Sequence, residues 1–555
     1  MTLDALVVGA GPTGLALAGE LLRRGLSVRV IDKAAAPTTQ SRAIGVQART
    51  LEIFDDLGIA DDLVARGNRV EGATMLAGAH PFIEVDFEAL DTRFPFILCV
   101  SQVETEAVLA ALLARRGGAV ERSCELVALH QDATGVDAVV RGPGGDETIR
   151  ASWIVGCDGA HSAVRHAIGG TFAGHSYEET FVLADVHADW DVSRRRVETH
   201  FADDGAVACF PLGGDHWRII LTAADALPDP PTLEVVRAVV ERRLGRPAAL
   251  HDAGWISSFR IHCRQVERYR EGRAFLCGDA AHIHSPVGGQ GMNTGIQDAH
   301  NLAWKLALVA RGRGRPALLD SYHAERHAIG RRVLAQTDLA TRLGLARGLA
   351  ASIRNQVARF VTSFEPVRSK LARDAAELTV GYPQSPIVGE HVRSILVARL
   401  GSAEAAESPT LASHRAFAAG PGPGARAPDG AIAHAGGATR LGELRRGDAF
   451  TLLLFDGRSA TPDGYAAQAA LAGRIRARWG DLVRVHVVTP RAERPHELPA
   501  ELDVIHDRAG ELEARYGAHS DCLYLVRPDL YVGFRSQPAS GAALDEHLAT
   551  ILTAG

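Results

Sequence analysis

The stretch GDAAHIHSPVGGQGMNTGIQDA runs from Gly278 to Ala299 and carries an acid at Asp279 and histidines at His282 and His284, followed by Gly288, Gly289, Gly291 and Gly295. Two chemistries compete for it. Asp and His are metal ligands, whereas glycines leading into a helix let backbone N–H groups close on something flat and anionic. A metal site needs three or more converging ligands. His282 and His284 alternate along an extended segment, so their rings are expected to point apart and no metal is expected.

A second group of residues points to phosphate. VVGAGPTG sets Gly9, Gly11 and Gly14 in G-x-G-x-x-G spacing. Gly9 makes the tight turn, Gly11 lets a pyrophosphate reach the backbone, and Gly14 lets the helix pack on the strand. The helix N-terminus then offers free N–H groups to the phosphates. Asp32 ends the next strand, where an acid can hydrogen-bond ribose hydroxyls. Pro12, Thr13 and Lys33 flank these positions and are expected in the same site. The motif alone does not separate NAD from FAD.

The elements around these residues support that reading. LDALVVG, the turn, LALAGELLRRG and LSVRVID read as strand, turn, helix and strand, a βαβ unit. ASWIVGCDGAHSAVRHAIG reads as another strand entering a glycine turn and a helix. Residues 171 to 270 change to short apolar runs separated by turns, which suggests an antiparallel sheet. RAFLCGDAAH returns to strand and turn, and after Gly291 the chain is helical to about residue 380. A stretch rich in Ala, Pro and Gly at 406–430 reads as a linker, and beyond it strands and helices alternate again as a small α/β domain.

Composition narrows the remaining classes. The 555 residues carry 60 basic against 66 acidic side chains, with no basic stripe, so nucleic acid is not an expected partner. The N-terminus enters a strand without a basic leader, and no apolar run is long enough to span a bilayer, so a cytoplasmic protein without a membrane partner is expected. The 7 cysteines are scattered, without a C-x-x-C pair, and are expected to be free thiols.

Three segments in this order, VVGAGPTG, CDGAHSAVR (157–165) and GDAAHIHSPVGGQGMNTG (278–295), resemble those of the FAD-dependent aromatic hydroxylases, the single-component flavoprotein monooxygenases typified by p-hydroxybenzoate hydroxylase. The resemblance covers residues 1 to about 380. GARAPDG (424–430) and LYLVRPDLYVGFRS (523–536) resemble the C-terminal thioredoxin-like domain of the phenol- and polyketide-hydroxylase branch, here without redox cysteines. The fold it implies is an α/β FAD-binding, glutathione-reductase-like Rossmann-type domain at 1–175 and 273–390, with a helical extension to about 400. An antiparallel-sheet substrate domain is inserted at 176–272, and a thioredoxin-like α/β domain occupies 431–555.

The resemblance also implies roles. Arg42, Gln102 and Asp279 would serve the FAD phosphates and ribityl chain, Asp158 and Arg165 lie in a motif that would serve FAD and transient NAD(P)H, and the backbone at Leu126 would reach the adenine. Pro286 would line the space beside the flavin C4a. The helix start at Gly289, Gly291, Met292 and Asn293 would stabilise charge on the reduced ring. Pro286 and Gly291 are the expected catalytic positions, through their backbone.

The implied reaction uses NADPH or NADH and O2 to hydroxylate a phenolic or polyketide-type aromatic substrate through a flavin C4a-hydroperoxide. No second G-x-G-x-x-G is present, in keeping with a nicotinamide that docks only transiently. His282 is expected to pack or hydrogen-bond near its turn, and no role is expected for His284. The general base is not identified; Arg42, Arg165, Arg218, Arg260 and Tyr177 are available for substrate. CFPL (209–212) either walls the pocket or is ordinary core. A non-hydroxylating flavin oxidoreductase or epoxidase, or a flavin-bound protein that sequesters a ligand, are the alternatives, and the chain is a monomer or a homodimer.

Overall fold

The structure, a computed structural model of the chain, describes residues 3–223, 228, 231–285, 288–345, 348–393, 410–435, 437–456 and 462–553. They fall into two compact units, one of Met1–Leu90, Phe94–His300 and Arg326–Leu378, the other of Asp91–Arg93, Asn301–Glu325 and Thr379–Gly555. Among the described residues no helix is long and apolar enough to cross a membrane.

The first unit is built on a parallel sheet. Its central strand, Leu3–Val8, pairs in parallel with Val28–Asp32 on one side and with Gly145–Gly156 on the other. Val120–Arg122 and Ala274–Leu276 extend the parallel set outward. Ala5, Leu6 and Val7 are wholly buried, as expected of a strand covered on both faces. Every strand that leads into a sequence motif therefore ends on one edge of the same sheet.

A second sheet runs in the order His282–Ile283, Ala249–Val266, Phe172–Asp189, His216–Thr222, Gly205–Gly213, Arg196–Ala202, Gly72–Ala77, His80–Asp86. It differs from the expected insertion in two ways. The hairpin Gly72–Asp86 joins it from outside 176–272, and that hairpin's first strand pairs in parallel with Arg196–Ala202. Local pattern does not reveal this, because the pairing spans more than 120 residues of chain. Alternation then separates two faces. Val182, Ala184, Cys209, Trp217, Ile219 and Leu221 pack under the helix Leu233–Leu244. Leu183, Asp185, Phe210, Arg218 and Ile220 occupy the opposite face.

The second unit carries its own sheet. Phe450–Phe455, Val483–Thr489 and Asp503–His506 are parallel, and Cys522–Val526 and Val532–Gln537 continue antiparallel. With the helices Pro462–Trp479 and Gly541–Ile551 this is a thioredoxin-like order. Its core recruits Trp304, Leu308 and Leu318 from much earlier in the chain, which explains why Asn301–Glu325 belongs to this unit. Within the stretch read as a linker, Leu411–Ala419 is a helix, capped by Thr410 accepting from the Ser413 N–H and anchored by buried Phe417. Cys522 is buried and free, and burial pushes its thiol far above the ordinary range.

A dry ionic cluster lies inside this unit. Glu325 receives Lys305 Nζ at 2.7 Å and Arg527 Nη1 at 2.6 Å, and Arg527 also pairs with Asp529, all four side chains being fully buried. Burial alone would raise the Glu325 carboxyl, yet Arg527 and Lys305 hold it well below its usual range. Breaking a buried pair costs more than the pair contributes, because it strands the partner charge. Glu325→Ala is expected to destabilise this unit by about 3 to 5 kcal/mol. Urea unfolding followed by tryptophan fluorescence checks it, and an unchanged midpoint would refute it.

Candidate active site

At the first turn the glycines do what their spacing requires. Gly9 has φ +101°, and a Cβ there would lie 2.4 Å from the Cys157 carbonyl oxygen. A Cβ on Gly14 would lie 1.9 Å from the Gly9 carbonyl oxygen, so strand and helix are in backbone contact. Gly11 is the opposite case, with no atom within 4 Å of its would-be Cβ. It opens on free space where the helix Pro12–Arg23 leaves its first N–H groups unpaired. Thr13 turns inward, its hydroxyl wedged against Gly278 and Gly295, and thereby joins this turn to the GDAAH segment and to the helix Gly291–Ala310.

Asp32 holds the turn from the second strand. Its Oδ2 accepts the Ala10 N–H at 2.7 Å and its Oδ1 the Ala34 N–H at 2.8 Å, with Arg122 at 3.6 Å. Each carboxylate oxygen keeps a further lone pair for a ribose hydroxyl. Lys33 is exposed. Leu126 lies buried on Glu125–Gln131, a strand that pairs only with Val136–Gly142 among the described strands and so leaves one backbone edge free.

Asp158 caps the short helix after its turn by accepting the Ala163 N–H at 2.6 Å, while its Oδ1 is buried without a partner. Burial raises this carboxyl, against its hydrogen bonds from Ser162 and the backbone. Arg165 ties two motifs together, donating to the Ala160 and Ala280 carbonyls at 2.9 and 3.3 Å, with its guanidinium over the Phe172 ring. Asp279 opens to solvent on one side and is enclosed by protein elsewhere. Desolvation raises its carboxyl, and the His282 and Arg42 charges pull it back. Arg42 is itself exposed, beside that acid.

The histidine pair corrects an expectation. The two rings do not point apart: their centroids are 6.0 Å apart and their planes 10° off parallel. Residues two apart on an extended chain share a face, which is the physical reason. His282 donates from Nε2 to Asp298 at 2.8 Å. His284 donates from Nδ1 to the Ser285 carbonyl at 3.1 Å, and burial holds it down at about 4, a neutral imidazole.

The loop before the long helix is held from below. Gly288 and Gly289 have φ of +86° and +64°. Their carbonyls accept the Gln47 amide at 2.9 and 3.0 Å, and Asn293 donates to Gly289 and Gly45 while its oxygen receives the Gln47 N–H. Gln47 Oε1 is buried without a partner. Gln102 begins the helix Gln102–Arg115 and accepts the Ala43 N–H at 3.2 Å. Gly291 and Met292 start the long helix, and Asn293 is wholly buried. Pro286 lies outside the described residues.

Sequence reasoning missed Gln47, Asp298, Arg326 and Glu377. Asp298 and Glu377 sit in helical and turn segments where an acid reads as solvated, and Arg326 lies on an amphipathic helix, so only burial distinguishes them. Gln47 alone had a local signal, following the strand Gly45–Val46 a few residues after Arg42. On the second sheet Arg218 makes a two-pronged pair with Asp185 at 2.6 and 2.5 Å, and its Nη1 is buried without a partner. Cys209 packs in the outer core, which turns Phe210 and Leu212 to the other face. The strand bearing them lies against Asn68–Val70 and Ile97–Cys99, members of the small sheet that includes Gly45–Val46.

These residues fit FAD. An open glycine cradle at a helix N-terminus suits the pyrophosphate, and Asp279 with Arg42 suits a polar chain with phosphates. The unpaired acceptors Asp158 Oδ1 and Gln47 Oε1 have donors to gain.

Comparison with known proteins agrees. Residues 2–337 match the family described as FAD binding domain, and residues 420–554 match aromatic-ring hydroxylase, C-terminal. The chain is 35% identical to a 6-methylpretetramide 4-monooxygenase of Streptomyces rimosus, over 99% of this chain and 93% of that one. It is 33% identical to a pentachlorophenol 4-monooxygenase of Sphingobium chlorophenolicum, over 99% and 96%. Among solved structures, an anhydrotetracycline hydroxylase from Streptomyces rimosus superposes with a TM-score of 0.74 at 29% identity, covering 99% of both chains.

Two outcomes are expected. Asp279→Ala should weaken FAD binding by about tenfold or more, the loss of a charge-assisted hydrogen bond; gel-filtered protein that keeps full flavin absorbance would contradict it. Glu377 accepts from Gln297 with no other acceptor satisfied, and burial raises it to about 8 from 4.5. Between those values the folded state binds the extra proton, so stability falls as pH rises, by up to about 1.4 kcal/mol per unit, and levels off above about 8. Glu377→Gln should flatten that slope in urea midpoints measured across the window.

Proposed function

The chain belongs to the FAD-dependent aromatic-ring hydroxylases, and on that premise we propose that it hydroxylates a phenolic, polycyclic substrate of the polyketide type, with NADPH or NADH as transient electron donor and O2 as oxidant. The chain is an FAD-dependent aromatic monooxygenase. FAD, when bound, supplies the electron transfer and the activation of oxygen. The protein supplies binding, orientation and the exclusion of water.

The observation that carries the substrate class is the face of the second sheet opposite the helix Leu233–Leu244. Leu183, Phe210 and Ile220 lie on this face, Ile220 packing beside Phe181 and Ile261, and Arg218 Nη1 is a buried donor without a partner on the same face. A phenol reacts better as phenolate, and a fixed guanidinium favours the charged form. Asp185 holds the fork in place, so Arg218 Nη1 is assigned to a substrate oxygen. Names of relatives that act on tetracycline-type and chlorinated phenols support the same class. Gly9, Gly11, Pro12, Thr13, Gly14, Asp32 and Asp279 are assigned to FAD, together with Arg42, Gln102, Asp158 and the 289–293 helix start.

A visible spectrum followed by NAD(P)H consumption with mono- and polycyclic phenols tests the reading. The expected result is flavin bands, slow basal oxidation accelerated by one polycyclic phenol, and a product heavier by one oxygen atom. Flavin bands with no acceleration by any aromatic would defeat it, and a product without added oxygen would favour the non-hydroxylating alternative. Arg218→Lys should raise KM for that substrate by about tenfold, one charge-assisted contact, with flavin content unchanged.

A further inference from the structure

Among the described residues, two groups of three bring His, Cys or carboxylate ligand atoms within 4.8 Å of one another. The first, Glu20, Asp56 and His300, is closed. All three are buried, Asp56 takes Arg23 at 2.8 Å, and Glu20 takes Arg24 and His300. Arginines already neutralise both carboxylates, so a metal cation has little charge to gain there.

The second, His175, Cys263 and Asp338, is open on one side. His175 and Cys263 face each other across the antiparallel strands Phe172–Asp189 and Ala249–Val266, and the helix Asp320–Leu345 supplies Asp338. Cys263 is 2% exposed and forms the floor, whereas the Asp338 and His175 side chains are 21 and 48% exposed and form the rim. His175 Nε2 lies 3.0 Å from Asp338 Oδ1. Ligands of a tetrahedral Zn2+ stand roughly 3.3 to 3.8 Å apart, so the three atoms close on an ion with shifts of about 1 Å.

Two of the ligands are also oriented from outside the group, as metal ligands usually are. Tyr177 donates its hydroxyl to Asp338 Oδ1, and the Ser285 N–H donates to the Cys263 sulfur. Arg342 pairs with Asp338 Oδ2 at 2.9 Å, but it is 65% exposed and leaves Oδ1 to an ion. Burial pushes the Cys263 thiol up, and the Asp338 charge adds to that push. Two anions side by side repel; a dication between them turns the repulsion into attraction. One thiolate and one carboxylate also balance a charge of two, so the complex brings no net charge into a half-buried place.

We infer that His175, Cys263 and Asp338 form a Zn2+ site that clamps the helix Asp320–Leu345 to the second sheet. The thiolate selects a borderline-soft cation over Mg2+ or Ca2+, and the mixed sulfur, nitrogen and oxygen set suits Zn2+ with water as fourth ligand. On binding, Cys263 gives its proton to solvent and His175 takes the Nδ1–H tautomer, freeing Nε2; no electrons move. The spacing that argued against His282 and His284 as ligands is local, whereas these three residues meet only through sheet pairing and helix packing.

Zinc analysis of the untagged, FAD-loaded full chain tests the inference, after chelator treatment, addition of Zn2+ and gel filtration. The expected result is about one Zn2+ retained per chain, with the melting temperature raised by roughly 3 °C at a hundredfold excess over the dissociation constant. Co2+ in its place should give a thiolate charge-transfer band and ligand-field bands to the red of the flavin. His175→Ala and Cys263→Ala should each weaken binding by about tenfold or more and abolish the thermal shift, with flavin absorbance kept. His175 lies at the rim, so its variant keeps the test decisive even where Cys263→Ala fails to fold. A wild type that retains no zinc, zinc retained in full by the His175 variant, or cobalt bound without a thiolate band would overturn the assignment.

Discussion

Asp298 has no contact with water, and its carboxylate is shared among three donors: the Gly278 N–H at 2.9 Å, His282 Nε2 at 2.8 Å and Arg326 Nε at 2.6 Å. Burial alone would raise this acid; Arg326 and His282 hold it lowered, as an anion. The consequence is geometric. Asp298 belongs to the long helix, Gly278 to the GDAAH turn and Arg326 to a following helix, so one charge fixes three elements. Asp279 follows Gly278 directly, and the direction in which it opens is set by that lock. Arg326 also reaches the Thr294 carbonyl near the start of the same helix. Thr13, wedged between Gly278 and Gly295, brings the dinucleotide turn into the assembly.

The loop at 288–289 shows how backbone conformation disposes of its own polar groups. Two successive left-handed glycines turn their carbonyls onto the Gln47 amide, which satisfies them. Acceptors that would repel an anion are thereby satisfied within the protein. The helix that follows keeps its leading N–H groups free. Gln47 and Asn293 never need to touch a cofactor to matter, since the loop has no other anchor of comparable strength among the described residues.

The second sheet divides its labour by alternation. One face is an ordinary core under the helix Leu233–Leu244, and the other presents apolar side chains together with the ion pair Asp185–Arg218. Only a pair with both prongs made keeps a guanidinium so deep without a large penalty. The C-terminal unit solves a related problem differently, neutralising Lys305 and Arg527 with Glu325 and Asp529 in a closed cluster that needs no ligand.

Much of this was legible in the chain itself. Gly9, Gly11, Gly14 and Asp32 stood out by spacing in G-x-G-x-x-G and its βαβ unit, whereas Asp158 and Asp279 stood out because CDGAHSAVR and GDAAH resemble family motifs. Strand and helix periodicity likewise marked the parallel sheet and the C-terminal α/β unit. What only the tertiary structure decided depends on distant partners. The hairpin Gly72–Asp86 joins a sheet formed mostly after residue 171, Trp304 on the helix Gly291–Ala310 packs into a core built mostly beyond residue 380, and the His282 and His284 rings stack on one side. Gln47, Asp298, Arg326 and Glu377 carry no local signature, because a polar side chain in a helix or turn reads as solvated until burial is known. Spacing reports geometry that a few neighbouring residues impose on one another; burial and charge pairing are properties of the whole packed chain.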